Sequence, residues 1–210
     1  RAMNAFLADV ATRHRHVTAV ATVFPGEEGT RDILREGFAL GLKGVKLHCH
    51  VQCMAVDDPA LHDVYDACTE HDLPLVVHAG REPKSAGYKV DPHTLCDASR
   101  MESVLRSYPS LRVCVPHLGA DEFDAYEALL ERYDNLWLDS TMTLGHYLPV
   151  RIPTRLLDVR PERIFYGTDF PNLPYAWDRE LKHMEDHGLG GDRLPAFLGE
   201  NAANFFRIQL

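Results

Sequence analysis

The sequence predicts an α/β protein in which parallel strands alternate with helices, and its repeat length favours a TIM (β/α)₈ barrel. Short β-branched runs recur along the 210 residues, and stretches of helical periodicity separate them. Several runs, such as Leu75-Val76-Val77, are apolar on both faces, which is typical of a parallel sheet covered by helices. We expect residues 1–210 to form a single domain.

The predicted elements begin with a helix, Ala2 to Arg13. Asp58-Pro59 opens a helical segment that reaches His71, and Asp121 opens another over Phe123 to Tyr133. Six strands are predicted between and around the helices: Val17 to Phe24, Gly44 to His48, Pro74 to Ala79, Leu111 to His117, Asn135 to Ser140 and Arg163 to Thr168.

The spacing of the strand ends sets the expected architecture. The ends are placed at Phe24, His48, His78, His117, Asp139 and Asp169, and their mean spacing is 29 residues. Eight such units need about 232 residues, close to the ~250 of a typical barrel, but only six strands are visible. We therefore expect the chain to lack the first one or two βα units of the barrel. Spacing alone leaves a doubly wound open sheet of six strands as the alternative.

Composition and charge exclude several functional classes. There are 22 Lys and Arg against 31 Asp and Glu, a formal net charge of −9, which argues against nucleic acid or an anionic membrane as partner. No apolar stretch approaches the ~20 residues of a membrane span. The five cysteines are an odd number and mostly lie in apolar runs, so reduced thiols and a cytoplasmic location are expected.

Four predicted strand ends carry residues of metal-ligating type: His48, His78, His117 and Asp169. The carboxyl ends of parallel strands meet at one rim, and imidazole with carboxylate suits zinc, iron or manganese. Each histidine alone is more often a hydrogen-bonded loop anchor, but together they indicate a metal site.

Other polar residues have simpler interpretations. Lys46 shares a strand face with His48 and is expected to be an interior lysine with a solvated head. Asp139 also fits a turn residue. The sequence Arg13-His14-Arg15-His16 fits the solvated end of a helix.

Five segments, in order over nearly the whole chain, resemble the amidohydrolase-related metal-dependent hydrolases, in the branch that includes aminocarboxymuconate semialdehyde decarboxylase. They are Gly44 to His48, Val77 to Gly80, Pro116 to Gly119, Tyr166 to Pro171 and Gly199 to Phe206. The resemblance implies a metal-bearing TIM barrel. It places metal ligands at His78 on the fifth strand and Asp169 on the eighth, and matches His117 to the histidine that activates the metal-bound water or binds the metal itself.

The sequence departs from this family at the first strand, which supplies a His-x-His pair of ligands. His14-Arg15-His16 matches the pattern but follows a helix and precedes the strand that the family's numbering makes the third. His48-Cys49-His50 also matches it but sits on the fourth strand. The pair is therefore expected upstream of Arg1. The resemblance implies a divalent metal, with Zn²⁺ favoured.

The expected chemistry is hydrolysis or non-oxidative decarboxylation of a small carboxylated substrate by a metal-activated water. His117 would orient or deprotonate the water, Asp169 would shuttle the proton, and Arg81 would grip a substrate carboxylate. The alternative for Arg81 is an ordinary ion pair with Glu82 or another surface carboxylate. Lys46 could be carbamylated to bridge two metals.

The alternative function is a metal-free, catalytically silent barrel that serves as a binding or structural subunit. A doubly wound protein that binds a phosphorylated ligand would need a glycine-rich turn after an early strand, and the sequence has none. The expected partners are a small molecule and a second copy of the chain in a homodimer, with no nucleic acid and no membrane.

Overall fold

The computed structural model describes residues 1–81, 87, 89–147, 151–153 and 155–210. Its centre is a parallel sheet of five strands, and each strand pairs with the next one along the chain. The strands are β1 (Val45–His48), β2 (Leu75–His78), β3 (Val113–Val115), β4 (Leu136–Asp139) and β5 (Ile164–Phe165).

Helices follow the strands in a regular alternation, with two more helices before β1. They are α1 (Ala2–Arg13), α2 (Thr30–Ala39), α3 (Cys49–Gln52), α4 (His62–Glu70), α5 (Pro92–Leu95), α6 (Ala98–Ser107), α7 (Phe123–Arg132), α8 (Leu156–Val159), α9 (Arg179–His183) and α10 (Asn201–Phe206). Short 3₁₀ turns lie at Pro59–Leu61, His117–Gly119, Pro161–Arg163, Met184–His187 and Gly191–Arg193, and a π-helical turn lies at Ala196–Glu200.

The strand order separates the two predicted architectures. A doubly wound sheet reverses its strand order at a switch point, whereas a (β/α)₈ barrel adds each new strand beside the last. The sheet here runs β1-β2-β3-β4-β5 without reversal. The fold is therefore part of a TIM barrel, and among the described residues the sheet does not close on itself.

The two faces of the sheet differ because successive side chains of a strand point in opposite directions. The outer face is aliphatic and forms one buried core with α2, α4, α6 and α7; Val45, Leu75, Val113 and Leu138 are all completely buried there. The inner face carries a second, smaller apolar cluster of Cys114, Trp137, Phe165 and Phe205, the last from α10. The Trp137 and Phe205 ring centroids are 5.3 Å apart.

The predicted strand at Val17 to Phe24 is wrong as a full strand, because only Ala21 forms a bridge, parallel to Val45. Ala21 N–H donates to the Gly44 carbonyl at 2.8 Å. On the other side of the segment the Asn4 side chain of α1 bonds both backbone groups of Thr22, at 2.9 and 3.0 Å. A side-chain amide thus takes the place of a neighbouring strand.

The predicted helix boundaries are close to those observed. Helix α1 has the predicted bounds, and Asp58 accepts from Ala60 N–H at 2.9 Å at the start of the segment that leads into α4. Helix α7 begins after Glu122 rather than Asp121. Within the described part of the chain, no helix is long and apolar enough to cross a bilayer.

Candidate metal centre at the carboxyl ends of the strands

Three histidines meet where β1 and β2 end. His48 pairs in register with His78, and their rings stack with centroids 4.0 Å apart and planes 10° apart. His50 follows on α3, and its ring centroid lies 4.9 Å from that of His78. His50 and His78 are buried and His48 is half-buried. We call these three residues the histidine cluster.

The histidine cluster has the donor set of a metal site. One ligand atom from each residue lies within 4.8 Å of the others. Zinc holds imidazole nitrogens at about 2.0–2.1 Å, so two nitrogens on one ion lie at most about 4.2 Å apart. The ligand atoms are thus gathered on the scale of a single ion site, and imidazole suits zinc, iron, nickel and copper. The residues therefore fit a divalent transition metal.

His117 joins the histidine cluster through a hydrogen-bonded chain that defines its tautomer. Its Nδ1 lies 3.0 Å from the Thr141 carbonyl oxygen and its Nε2 lies 3.3 Å from His78 Nδ1. A carbonyl only accepts, so His117 Nδ1 must carry a proton, and neutral His117 then accepts at Nε2. His78 Nδ1 is accordingly the donor, which leaves its Nε2 as the nitrogen with a lone pair. A metal-ligating histidine needs that arrangement.

Asp139 fixes the loops around His117. It is buried at the end of β4, and its Oδ1 accepts from the backbone N–H groups of His117 at 3.3 Å and Thr141 at 3.0 Å. Gly167 packs so closely that a Cβ there would lie 2.1 Å from Thr141 Oγ1 and 3.0 Å from Asp139 Oδ1. Asp139 therefore organises the rim instead of only closing a turn.

The backbone at this rim adopts conformations that side-chain-bearing residues rarely use. His117, Leu118 and Ala120 have φ values of 59°, 53° and 57°. Asp169, after β5, has φ of 60°. Left-handed conformations in non-glycine residues are uncommon and concentrate at functional sites. Two of the residues that the sequence analysis selected thus stand on strained backbone.

Asp169 lies at the same end of the sheet as the histidines but on its exposed edge. Its backbone carbonyl accepts from Asn172 N–H at 2.7 Å. The group of potential ligands that the described residues form at this rim contains His48, His50 and His78 and does not include Asp169 or His117. Their role as metal ligands stays a prediction.

Arg81 follows β2 and is engaged with carboxylates of the next loop. Its Nε lies 3.3 Å from Glu122 Oε1 and 3.7 Å from Asp121 Oδ1, and its backbone N–H donates to Glu122 at 3.1 Å. Burial raises the pKa of Glu122. Glu82 lies outside the described residues, but the ion pair that the sequence analysis gave as the alternative is present with these other carboxylates, and a substrate carboxylate would compete with it.

Lys46 lies half-buried on the inner face, as predicted, two residues before His48. Cys114 lies on the same face and is completely buried. Burial raises the pKa of the Cys114 thiol well above its usual range, and the charge of Lys46 opposes that shift. Cys114 Sγ donates to Asp139 Oδ2 at 3.8 Å, so the thiol is protonated and structural.

Glu180 on α9 is a buried acid that the sequence analysis did not select. It is 1% exposed, and Tyr175 Oη donates to its Oε1 at 3.1 Å. Burial, together with the nearby charge of Asp139, raises the pKa of Glu180 to about 7. No motif marks this residue, because its burial depends on how α9 packs against the loop after β4.

The His48-Cys49-His50 pair is the signal that sequence reasoning discounted. It has the His-x-His pattern of a metal-binding pair, but it lies on the fourth strand in the family's numbering, whereas the family's pair lies on the first. The structure places it beside His78. His78 and Asp169, the ligands that the family resemblance implies, lie at the carboxyl ends of the strands, and so does this pair.

The family model described as Amidohydrolase matches residues 1–208. No curated protein matches the chain. Among solved structures, the 5-carboxyvanillate decarboxylase of Sphingomonas paucimobilis is 19% identical with a TM-score of 0.72, and the match covers 98% of this chain and 71% of that one.

Two further solved structures show the same fold. The 5-carboxyvanillate decarboxylase of Novosphingobium aromaticivorans, complexed with manganese and 4-hydroxy-3-methoxy-5-nitrobenzoic acid, is 20% identical with a TM-score of 0.67, over 98% of this chain and 69% of that one. A probable 2-pyrone-4,6-dicarboxylic acid hydrolase of Acinetobacter baumannii is 13% identical with a TM-score of 0.69, over 96% and 77%.

Proposed function

The chain belongs to the amidohydrolase family of enzymes, and from that membership we propose that it hydrolyses or decarboxylates a small carboxylated substrate with the help of a divalent metal. The observation that carries the proposal is the histidine cluster with His117 hydrogen-bonded to it.

His48, His50 and His78 would hold the metal, with Asp169 as a further ligand proposed from the family resemblance. When bound, a divalent ion lowers the pKa of a coordinated water towards ~7 and supplies hydroxide at neutral pH. Zinc is favoured by the imidazole-rich donor set, and manganese, which the Novosphingobium enzyme carries, is the second choice.

His117 is proposed to handle the proton. Its Nδ1–H is committed to the Thr141 carbonyl, so Nε2 is the atom that accepts a proton, at the edge of the histidine cluster. In the arrangement observed, the same nitrogen accepts from His78 and so orients that ring. Asp169, exposed and beside this rim, is proposed to pass the proton to the leaving group.

The substrate class is proposed to be a carboxylated ring compound. Thr168, Phe170 and Trp177 line a surface pocket next to Asp169, and both aromatic side chains are exposed. Exposed aromatic faces suit a planar ring, since they offer stacking area. The two kinds of related enzyme are named for such substrates, a carboxyvanillate and a pyrone dicarboxylic acid. Arg81 is proposed to bind the substrate carboxylate in place of Asp121 and Glu122.

The test combines metal analysis with a substrate panel of carboxylated lactones and aromatic ring acids. The protein is expected to bind a divalent metal and turn over one member of the panel. His78→Ala should lose that metal and the activity together, whereas His62→Ala, an exposed histidine at the start of α4, should lose neither.

Equal metal content and equal turnover in His78→Ala and His62→Ala would overturn the proposal. Protein that binds no metal at the histidine cluster and turns over no substrate would instead support the silent barrel.

A further inference from the structure

We propose a second site for a divalent transition metal, outside the histidine cluster, formed by His146, His183 and Asp186. The chemically best-fitting ion is zinc. Bound there, it would join the loop after β4 to the end of α9. This proposal does not rest on the proposed function, because it concerns different residues and needs no catalytic activity.

The three side chains already converge. Asp186 Oδ2 lies 3.1 Å from His183 Nδ1 and 3.5 Å from His146 Nε2. The rings of His146 and His183 have centroids 4.7 Å apart and meet edge to face. All three ligand atoms lie within 4.8 Å of one another. The two nitrogen-to-oxygen distances are within the about 4.2 Å that one zinc ion allows between two of its ligands.

A third histidine, His187, packs against the site. The ring of His187 stacks on His146, with centroids 5.1 Å apart and planes 20° apart. Its Nε2 is buried and has no hydrogen-bond partner within the described residues. A buried nitrogen without a partner is costly unless it has a ligand, which points to the same place.

The donor set fits zinc better than a hard cation. Two imidazoles and one carboxylate bind late first-row divalent ions, whereas magnesium and calcium need several oxygen ligands. His146 and Asp186 are about half exposed, so an ion can reach the site from solvent. Two cationic side chains of α9 are engaged with other partners: Arg179 donates to the carbonyls of Gly145 and His146, and Lys182 pairs with Asp178.

The position of the site gives it a structural role. The loop after β4 contains both Thr141, whose carbonyl accepts from the His117 ring, and His146. Arg179 already ties Gly145 and His146 to α9, and the backbone of Leu144 bonds Glu180 and His187. His146 itself has φ of 47°. A metal ion would join this part of the loop, through His146, to the end of α9, through His183.

The experiment measures zinc bound at equilibrium to the intact protein in buffered free zinc. His183→Ala and Asp186→Asn remove one ligand each, and His14→Ala, an exposed histidine at the end of α1, is the matched control. Each ligand variant should bind about one zinc fewer per chain than the control. His78→Ala serves as a separate background. Zinc should raise the melting temperature of His78→Ala but not of the His78→Ala/His183→Ala double variant.

The outcomes separate this site from the histidine cluster. Zinc content in His183→Ala and Asp186→Asn equal to that of His14→Ala would overturn the proposal, and the three side chains would then be only a hydrogen-bonded group. If His78→Ala binds as much zinc as the control while the ligand variants bind less, the second site stands and the proposed function fails. Circular dichroism of Asp186→Asn checks that the loss is not due to unfolding.

Discussion

The outer and inner faces of the sheet are formed by alternate residues of the same strands, and they differ in polarity. The outer face presents Val45, Leu47 and their neighbours to four helices and is fully buried. The inner face presents the polar residues Lys46, His48 and Asp139 beside the smaller apolar cluster that includes Trp137. The outer face therefore holds the fold together, and the inner face carries the site.

This division explains how polar side chains are tolerated in a buried sheet. Burying an imidazole or carboxylate without partners costs free energy, so each must have a hydrogen bond or a ligand. On the inner face Asp139 holds two backbone N–H groups, and His117 links Thr141 to His78. Substitutions on the two faces should accordingly change different quantities.

The largest effect is expected from His117→Ala. If His117 accepts the proton, this variant should keep most of the metal and lower kcat by roughly 10²–10⁴ with the best substrate. Metal content and steady-state kinetics on the same samples measure both. Complete loss of the metal would make His117 a ligand instead of a base.

On the outer face, Leu138→Ala should reduce the free energy of unfolding by about 2–5 kcal/mol, because it leaves a cavity in a completely buried position. The folded variant should retain its kcat. Urea unfolding measures the loss, and Leu40→Ala, an exposed leucine, is the control. A lowered kcat in folded Leu138→Ala would contradict the assignment of stability to the outer face and of activity to the inner face.

A smaller effect concerns pH. The pKa of Glu180 is about 7 in the folded protein, above the usual 4.5 of glutamate. The folded state thus binds more protons than the unfolded state between these values, so stability falls as pH rises from about 4.5 to 7. Glu180→Gln keeps the contact with Tyr175 and removes the charge beside Asp139.

Relative to Glu180→Gln, the wild-type protein should lose up to about 3 kcal/mol of unfolding free energy between pH 5 and pH 8. Urea unfolding of both proteins at the two pH values tests this difference. Parallel pH dependence in the two proteins would show that Glu180 titrates normally.

The smallest effect on stability is expected at Arg81. Its ion pairs are partly exposed, so Arg81→Ala should cost less than about 1 kcal/mol of unfolding free energy. If Arg81 grips a substrate carboxylate, KM should rise, and Arg81→Lys should not restore it fully, since an ammonium lacks the two-pronged contact. An unchanged KM in Arg81→Ala would leave this arginine as the partner of Asp121 and Glu122.

Local sequence predicted most of the fold because strand and helix signals are local. Helix α1 and the strand ends at His48 and His78 lie where the pattern placed them. Val17 to Phe24 has strand composition, yet only one bridge forms there, since strand formation also requires a neighbour and Asn4 occupies that side.

The site was less predictable than the fold. His78, which the sequence analysis selected, lies in the histidine cluster. The place of His50 depends on the short turn of α3, and Thr141 acts through a backbone carbonyl that has no sequence signature. Glu180 becomes a buried acid only through tertiary packing. Sequence patterns indicate where each strand ends. The directions of the side chains that follow a strand depend on the loop conformation, which these patterns do not predict.

Because each strand pairs with the one that follows it, assembly of the sheet requires no distant encounters. His48 and His78 are thirty residues apart, and the entropy of closing such a loop grows only with the logarithm of its length. The three histidines of the cluster thus lie within one strand–helix–strand unit, and the His78 ring takes its orientation once β3 has paired and brought His117 beside it.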